Sequence, residues 1–234
     1  HSDVMAARQT GFAILASYGV QSAMDLGAVA HLAAIKGRVP LMHFFDGFRT
    51  SHEYQKIERL EYEDLAKMLD MDAVNAFRKR GLTPNEPCLR GSAQNPDIFF
   101  QMKEASNQYY DALPDIVEHY MDEMSRLTGR EYKPFVYHGD PEAEEIIICM
   151  GSVYDTICET VDYLNCQGRK TGAVHVHLFR PFSAERLLSA IPETVRKIAV
   201  LDRVKEPGAQ GEPLFLDVVS AVSCADRPVV VSGG

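Results

Sequence analysis

Apolar positions along this chain follow a helical period in some stretches and gather into short continuous runs in others. Across residues 20–36 (VQSAMDLGAVAHLAAIK) they recur at three- and four-residue steps through Val20, Met24, Leu26, Val29, Ala30 and Ala33, the spacing of one buried helix face. Ser22 and Asp25 read as a capping-box pair near its start. Residues 39–45 form an apolar-leaning run stopped by Asp46-Gly47, which predicts a buried strand followed by a turn. Two short helices are expected over 62–69 and 72–80, the second ended by Gly81. Residues 82–96 (LTPNEPCLRGSAQNP) collect turn formers, as a long surface loop would. Helical spacing returns over 97–128, with Phe99, Met102, Tyr109, Leu113, Val117, Tyr120, Met124 and Leu127 along one side; Pro114 should kink this helix or start a second one.

The later part of the chain is more regular. Residues 145–150, 173–178, 195–201 and 228–231 read as strands, and 152–168, 183–190 and 213–222 as helices. Gly151-Ser152 turns the chain into the first of these helices, where Ser152 and Asp155 have capping spacing. Strands and helices alternating through short connections predict a parallel, doubly wound sheet. Residues 129–143 (GREYKPFVYHGDPEA) read as an inter-domain connection. The expected organisation is therefore α/β in two domains, 1–132 and 133–234, each with a mainly parallel sheet flanked by helices.

Composition narrows the functional classes. A chain of 234 residues that is 46% hydrophobic can bury a sizeable core. Its net charge of −9 lacks the basic footprint of a nucleic-acid binder and argues against anionic membrane surfaces. No run approaches the ~18 apolar residues of a spanning helix, and the first residues lack a secretory layout. The chain starts without Met, which suggests a piece of something longer. Five cysteines, an odd number with no CxxC spacing, fit free thiols in a reducing compartment, and hence a cytoplasmic protein.

Candidate chemistry concentrates just after the strand at 39–45. In open α/β sheets ligands collect where strands end, and here Asp46-Gly47 leads into Arg49, Thr50, Ser51, His52 and Glu53. Arg49 could grip a carboxylate or phosphate; His52 or Glu53 could move protons. The plainer alternative is a turn at Asp46-Gly47 with Ser51 and Glu53 beginning the next helix. His175 and His177 share one side of a strand, yet no third ligand accompanies them, so they read as sheet-surface packing rather than a metal site. Gly151-Ser152 opens a helix whose N–H groups could receive an anion, with an ordinary capped helix as the alternative. Lys205 and Glu206, beside Pro207, Gly208 and Gly211, could meet a partner or ligand, or could sit in a solvated loop. No GxSxG elbow, HExxH, Gly-rich phosphate loop or cluster-binding cysteine set is present.

Six strings, in order, resemble the pyruvate:ferredoxin (flavodoxin) oxidoreductases: HSDVMAARQTGFA (1–13), HLAAIKGRVPLMHFFDGFRTSHEYQKIE (31–58), RGSAQNPDIFFQ (90–101), CMGSVYDT (149–156), HLFRPFSAERL (177–187) and IAVLDRVKEPGAQGEPLFLDV (198–218). The resemblance implies a fragment of a large enzyme using thiamine diphosphate, Mg2+ and [4Fe-4S] clusters. It would oxidise pyruvate to CO2 and acetyl-coenzyme A and pass electrons to ferredoxin or flavodoxin. Residues 1–132 would be the end of the pyrimidine-binding domain, and 133–234 a domain similar to the C-terminal domain of transketolases, within a homodimer. The family's cofactor-activating glutamate, pyruvate-holding residues, diphosphate–Mg2+ site and cluster cysteines have no counterpart here. The segment alone should thus be inactive, with no cofactor bound to it and no residue assignable as catalytic beyond the candidates Arg49, His52 and Glu53. Asp46, Gly47, Arg49 and Ser51 form the candidate cofactor loop. Alternatives are the same module in an NADP-reducing or other 2-oxoacid oxidoreductase, or a non-catalytic interaction module.

Overall fold

A computed structural model describes residues 1–89, 93–225 and 228–233; positions 90–92 of the predicted surface loop lie outside the described residues. The first half contains α1 (Ser2–Ala6), β1 (Ala13–Ala16), α2 (Val20–Gly37), β2 (Leu41–Phe44), α3 (Arg49–His52), α4 (Tyr62–Met68), α5 (Met71–Lys79), α6 (Pro96–Glu104) and α7 (Asn107–Thr128). The second contains β3 (Phe135–Gly139), β4 (Glu145–Cys149), α8 (Val153–Cys166), β5 (Thr171–Val176), β6 (Leu178–Arg180), α9 (Ala184–Ala190), β7 (Lys197–Leu201), α10 (Pro213–Ser223) and β8 (Val230–Gly233).

The expected α/β architecture is present as two sheets. The smaller has the order β2-β1-β6 and the larger β3-β5-β4-β7-β8. Strands β4, β5, β7 and β8 pair in parallel, while β3 runs antiparallel to β5 and so makes the large sheet mixed. β3 occupies the stretch read as a connection. Its half-buried edge position and the turn formers on either side hide it in the sequence. β6 leaves the large sheet after His177 and pairs antiparallel with β1, so the later half of the chain supplies a strand to the small sheet.

Packing explains why β1 is buried along its whole length. Ala13 and Leu15 face a core formed with Leu26, Val29, Leu113, Val117, Met121 and Met124 of α2 and α7. Ile14 and Ala16 face a second core shared with Ile148, Val174, Leu187, Val200 and Leu214. A strand between two cores has no solvent face to mark its period. Each such fully buried Leu or Ile stabilises the fold by about 1.5–3 kcal/mol. Across the large sheet, α8 covers one face through Tyr154, Ile157 and Val161, and α9 and α10 cover the other.

Three local expectations change. The predicted helix over 97–128 is two helices broken at Ala105-Ser106, and Pro114 lies inside α7 without ending it. Asp25 does not cap α2; Ser22 Oγ instead takes the Gly19 N–H at 3.0 Å, because Asp25 is buried against Arg130 and Tyr132. Ser152 occupies the N-cap position of α8 without a side-chain capping bond. Among the described residues no helix is long and apolar enough to cross a membrane.

Candidate functional site

The loop after β2 enters the site through Asp46, whose side chain is almost completely buried. Its carboxylate accepts the Ser152 N–H at 2.6 Å, meets the Arg203 guanidinium and contacts His1 Nε2. It lies against Gly151, where a Cβ would stand 2.7 Å from Oδ2; Gly151 also has φ +80°, a conformation that favours glycine. The anion drawn to the α8 N-terminus is thus a carboxylate of the chain itself.

Beyond Asp46 the backbone makes a tight excursion. Phe48 has φ +61°, and its ring, exposed to solvent, stacks on His52 with centroids 5.1 Å apart. Ser51 Oγ takes the Phe48 N–H at 2.9 Å and pairs with His52 Nδ1 at 2.7 Å. Arg49 and Glu53 are exposed on the same short helix and its end, and Glu53 accepts from Gln55 at 2.9 Å. The structure therefore brings Arg49, Ser51, His52 and Glu53 together on a projecting tip. Asp46 and Thr50 are turned inward, while Gly47 has open space around it.

A polar cavity of about 390 Å3 lies beside this loop, with His43, Phe45, Asp46 and Arg203 among its walls. His43 bonds Ser17 Oγ at 2.8 Å, and burial pushes its pKa down to about 4, helped by nearby His31. A larger, apolar cavity of about 550 Å3 runs beside α8 along Ile147, Leu164, Ala199 and Val230. It lies toward the strand starts, near Glu145, Thr171 and Lys197, the end of an α/β sheet opposite to where ligands gather.

His175 and His177 are fully buried at the junction of the two sheets, rather than on a sheet surface as expected. Their ring centroids are 4.3 Å apart. His177 Nδ1 donates to the Ala16 carbonyl at 2.6 Å, and His175 Nε2 accepts the Gly151 N–H at 3.1 Å. Burial drives both pKa values down, His177 to about 4. In these neutral tautomers the two nitrogens left without a partner, His175 Nδ1 and His177 Nε2, are respectively a donor and an acceptor.

Lys205 and Glu206 are engaged within the chain. Lys205 pairs with Glu212 at 2.5 Å, and Glu206 receives Arg8 at 2.8 and 3.0 Å. Sequence reasoning did not single out Arg203; it read Asp25 only as a capping partner and passed over Arg130 and Tyr132. The last three form a buried knot in which Asp25 accepts from Arg130 Nε at 2.7 Å and Tyr132 Oη at 2.6 Å. No group of three side chains able to hold a metal ion occurs among the described residues. Arg49 on the exposed tip could take an anionic group; nothing in this donor set suits a metal-bound diphosphate.

Comparison with known proteins bears on both halves. Residues 1–122 match the family model described as pyruvate flavodoxin/ferredoxin oxidoreductase, thiamine diphosphate-binding. Residues 143–233 match pyruvate:ferredoxin oxidoreductase core domain II. The chain is 60% identical over its full length to a pyruvate-flavodoxin oxidoreductase of Klebsiella pneumoniae and 57% identical to a pyruvate:ferredoxin oxidoreductase of Moorella thermoacetica. It spans 20% of the length of each of these relatives. A solved 2-oxoglutarate:ferredoxin oxidoreductase from Magnetococcus marinus shares the fold at TM-score 0.55 and 16% identity, covering all of this chain and 41% of that one.

Proposed function

Because the chain belongs to the pyruvate flavodoxin/ferredoxin oxidoreductase family, we propose that it is a two-domain segment of an enzyme that oxidatively decarboxylates pyruvate. The products would be CO2 and acetyl-coenzyme A, with electrons passed to ferredoxin or flavodoxin. The observation that carries this reading is the ordered match of both halves to that family, with 60% identity along the whole chain. The division into 1–132 and 133–234 belongs to the same proposal, as do a cytoplasmic location and a homodimeric enzyme. The two family matches, ending at residue 122 and starting at 143, support that division.

Thiamine diphosphate would supply the electron sink needed for loss of CO2 from a 2-oxo acid. This segment's part is to present one wall toward it. The loop carrying Asp46, Gly47, Arg49 and Ser51 is the candidate, with Arg49 suited to an anionic group and His52 or Glu53 to proton transfer. Mg2+ and [4Fe-4S] clusters would be held by other parts of the enzyme.

The test is a longer enzyme containing this segment, assayed for reduction of flavodoxin or ferredoxin that requires pyruvate, coenzyme A and thiamine diphosphate together. Activity dependent on all three supports the proposal. Equal activity with a different 2-oxo acid, or reduction of NADP instead, would reassign substrate or acceptor. Turnover by the 234-residue chain alone would refute its role as a segment.

A further inference from the structure

We propose that Asp46 is a positioning residue through which the second half of the chain holds the candidate cofactor loop of the first; its effect on the cofactor rests on the function proposed above. Three features converge on one buried carboxylate. The Ser152 N–H approaches from the start of α8 at 2.6 Å, Arg203 approaches from the end of β7, and Gly151 leaves the space the carboxylate fills. The Asp46 carbonyl then accepts the Ser51 N–H at 3.1 Å, so the residue fixing the two halves together also closes the turn bearing Arg49, Ser51 and His52.

This arrangement has a directional consequence. The tip exposes Phe48, Arg49, Ser51 and His52 and carries a positive-φ residue. Its orientation is set at its base, where the only buried charged side chain of the loop is clamped. Charge-assisted hydrogen bonds of this kind are stronger than neutral ones, and Asp46 has two donors from the second half of the chain. Residues 106 and 157 positions away thereby govern the loop.

Hydrogen exchange of the 234-residue chain tests the clamp directly. In Asp46→Asn, and separately in Arg203→Met, amides of residues 46–53 and 151–153 should exchange about tenfold faster while those of α7 keep their rates, as expected for local opening. Arg203→Lys should restore most of the protection. Uniform acceleration across the chain, or no change at 46–53, would overturn the clamp. Arg203 lies partly at the surface, so its substitution remains informative if Asp46→Asn fails to fold. In the longer enzyme, Asp46→Asn and Arg203→Met should each weaken the apparent affinity for thiamine diphosphate about tenfold, and Arg203→Lys should restore most of it. An active enzyme whose cofactor affinity is unchanged overturns the positioning role and leaves the proposed reaction intact. An unsubstituted enzyme without pyruvate-dependent activity overturns the reaction instead, and the exchange experiment still decides the clamp.

Discussion

Acidification from pH 7.5 to pH 5 should destabilise this chain, and His177 makes the size of its contribution calculable. The ring is completely buried, and burial lowers its pKa from 6.5 to about 4, against a smaller opposing effect of the Ala16 carbonyl. The unfolded chain therefore binds a proton near pH 6.5 that the folded chain refuses until about pH 4. Stability from this group is complete above pH 6.5 and is lost as pH falls through that window. The full difference is about 3 kcal/mol, of which about 2 kcal/mol is gone at pH 5. His43 and His175 act in the same direction. In His177→Asn the amide nitrogen can replace Nδ1 as donor to Ala16, and nothing at that position titrates. Thermal unfolding at pH 7.5 and pH 5 should show the natural chain losing about 4–8 °C more than the variant. Equal losses would refute the assignment of acid lability to the buried ring.

Other substitutions probe separate parts of the fold. Asp25→Ala leaves the buried Tyr132 hydroxyl and the Arg130 guanidinium without their shared acceptor, and should cost about 3 kcal/mol in urea unfolding; Arg130 keeps Glu58 at 2.5 Å, which limits the loss. Gly139→Ala should destabilise by more than about 2 kcal/mol in the same assay, because φ is +135° and the added Cβ would lie 2.5 Å from the Thr171 carbonyl oxygen. With a thiol reagent at pH 8, exposed Cys88, Cys166 and Cys224 should react first. Cys149 and Cys158 should lag, since burial raises both thiol pKa values, that of Cys158 to about 11. The exposed Phe48, Leu82, Leu89 and Phe100 side chains should make the isolated chain self-associate; a single monomeric species in sedimentation at high concentration would oppose this.

Much of the fold was legible wherever an element has one wet face. The period across α2 and the apolar run of β4 located those elements because their neighbours in sequence are polar. β1 was not legible: four residues buried on both sides have no alternation to read. β6 was hidden differently. The stretch from Ala173 to Phe179 is broken only by His175 and His177 and reads as one strand, yet the chain changes sheets within it. The strand expected at 39–45 is only Leu41–Phe44 and mostly half-buried, because it lies at the edge of its sheet.

The candidate site shows the same limit more sharply. Local spacing identified the polar cluster after β2, and the structure does place Arg49, Ser51 and His52 on one short helix. Local spacing could not separate Asp46 from the rest, because its defining partners are Ser152 and Arg203. A carboxylate followed by glycine reads as a turn until a helix N-terminus is found against it. The same carboxylate also faces His175, which accepts from the adjacent Gly151 amide. Two successive N–H groups at the start of α8 are therefore satisfied by side chains from strand β5 and from the loop after β2. His177, two residues further on, then binds the carbonyl of β1. A polar seam of this kind constrains both sheets at once, since leaving any one member buried without its partner costs about 1–3 kcal/mol. The loop's geometry is consequently a property of the junction, and a substitution in the second half can disturb it without touching the loop.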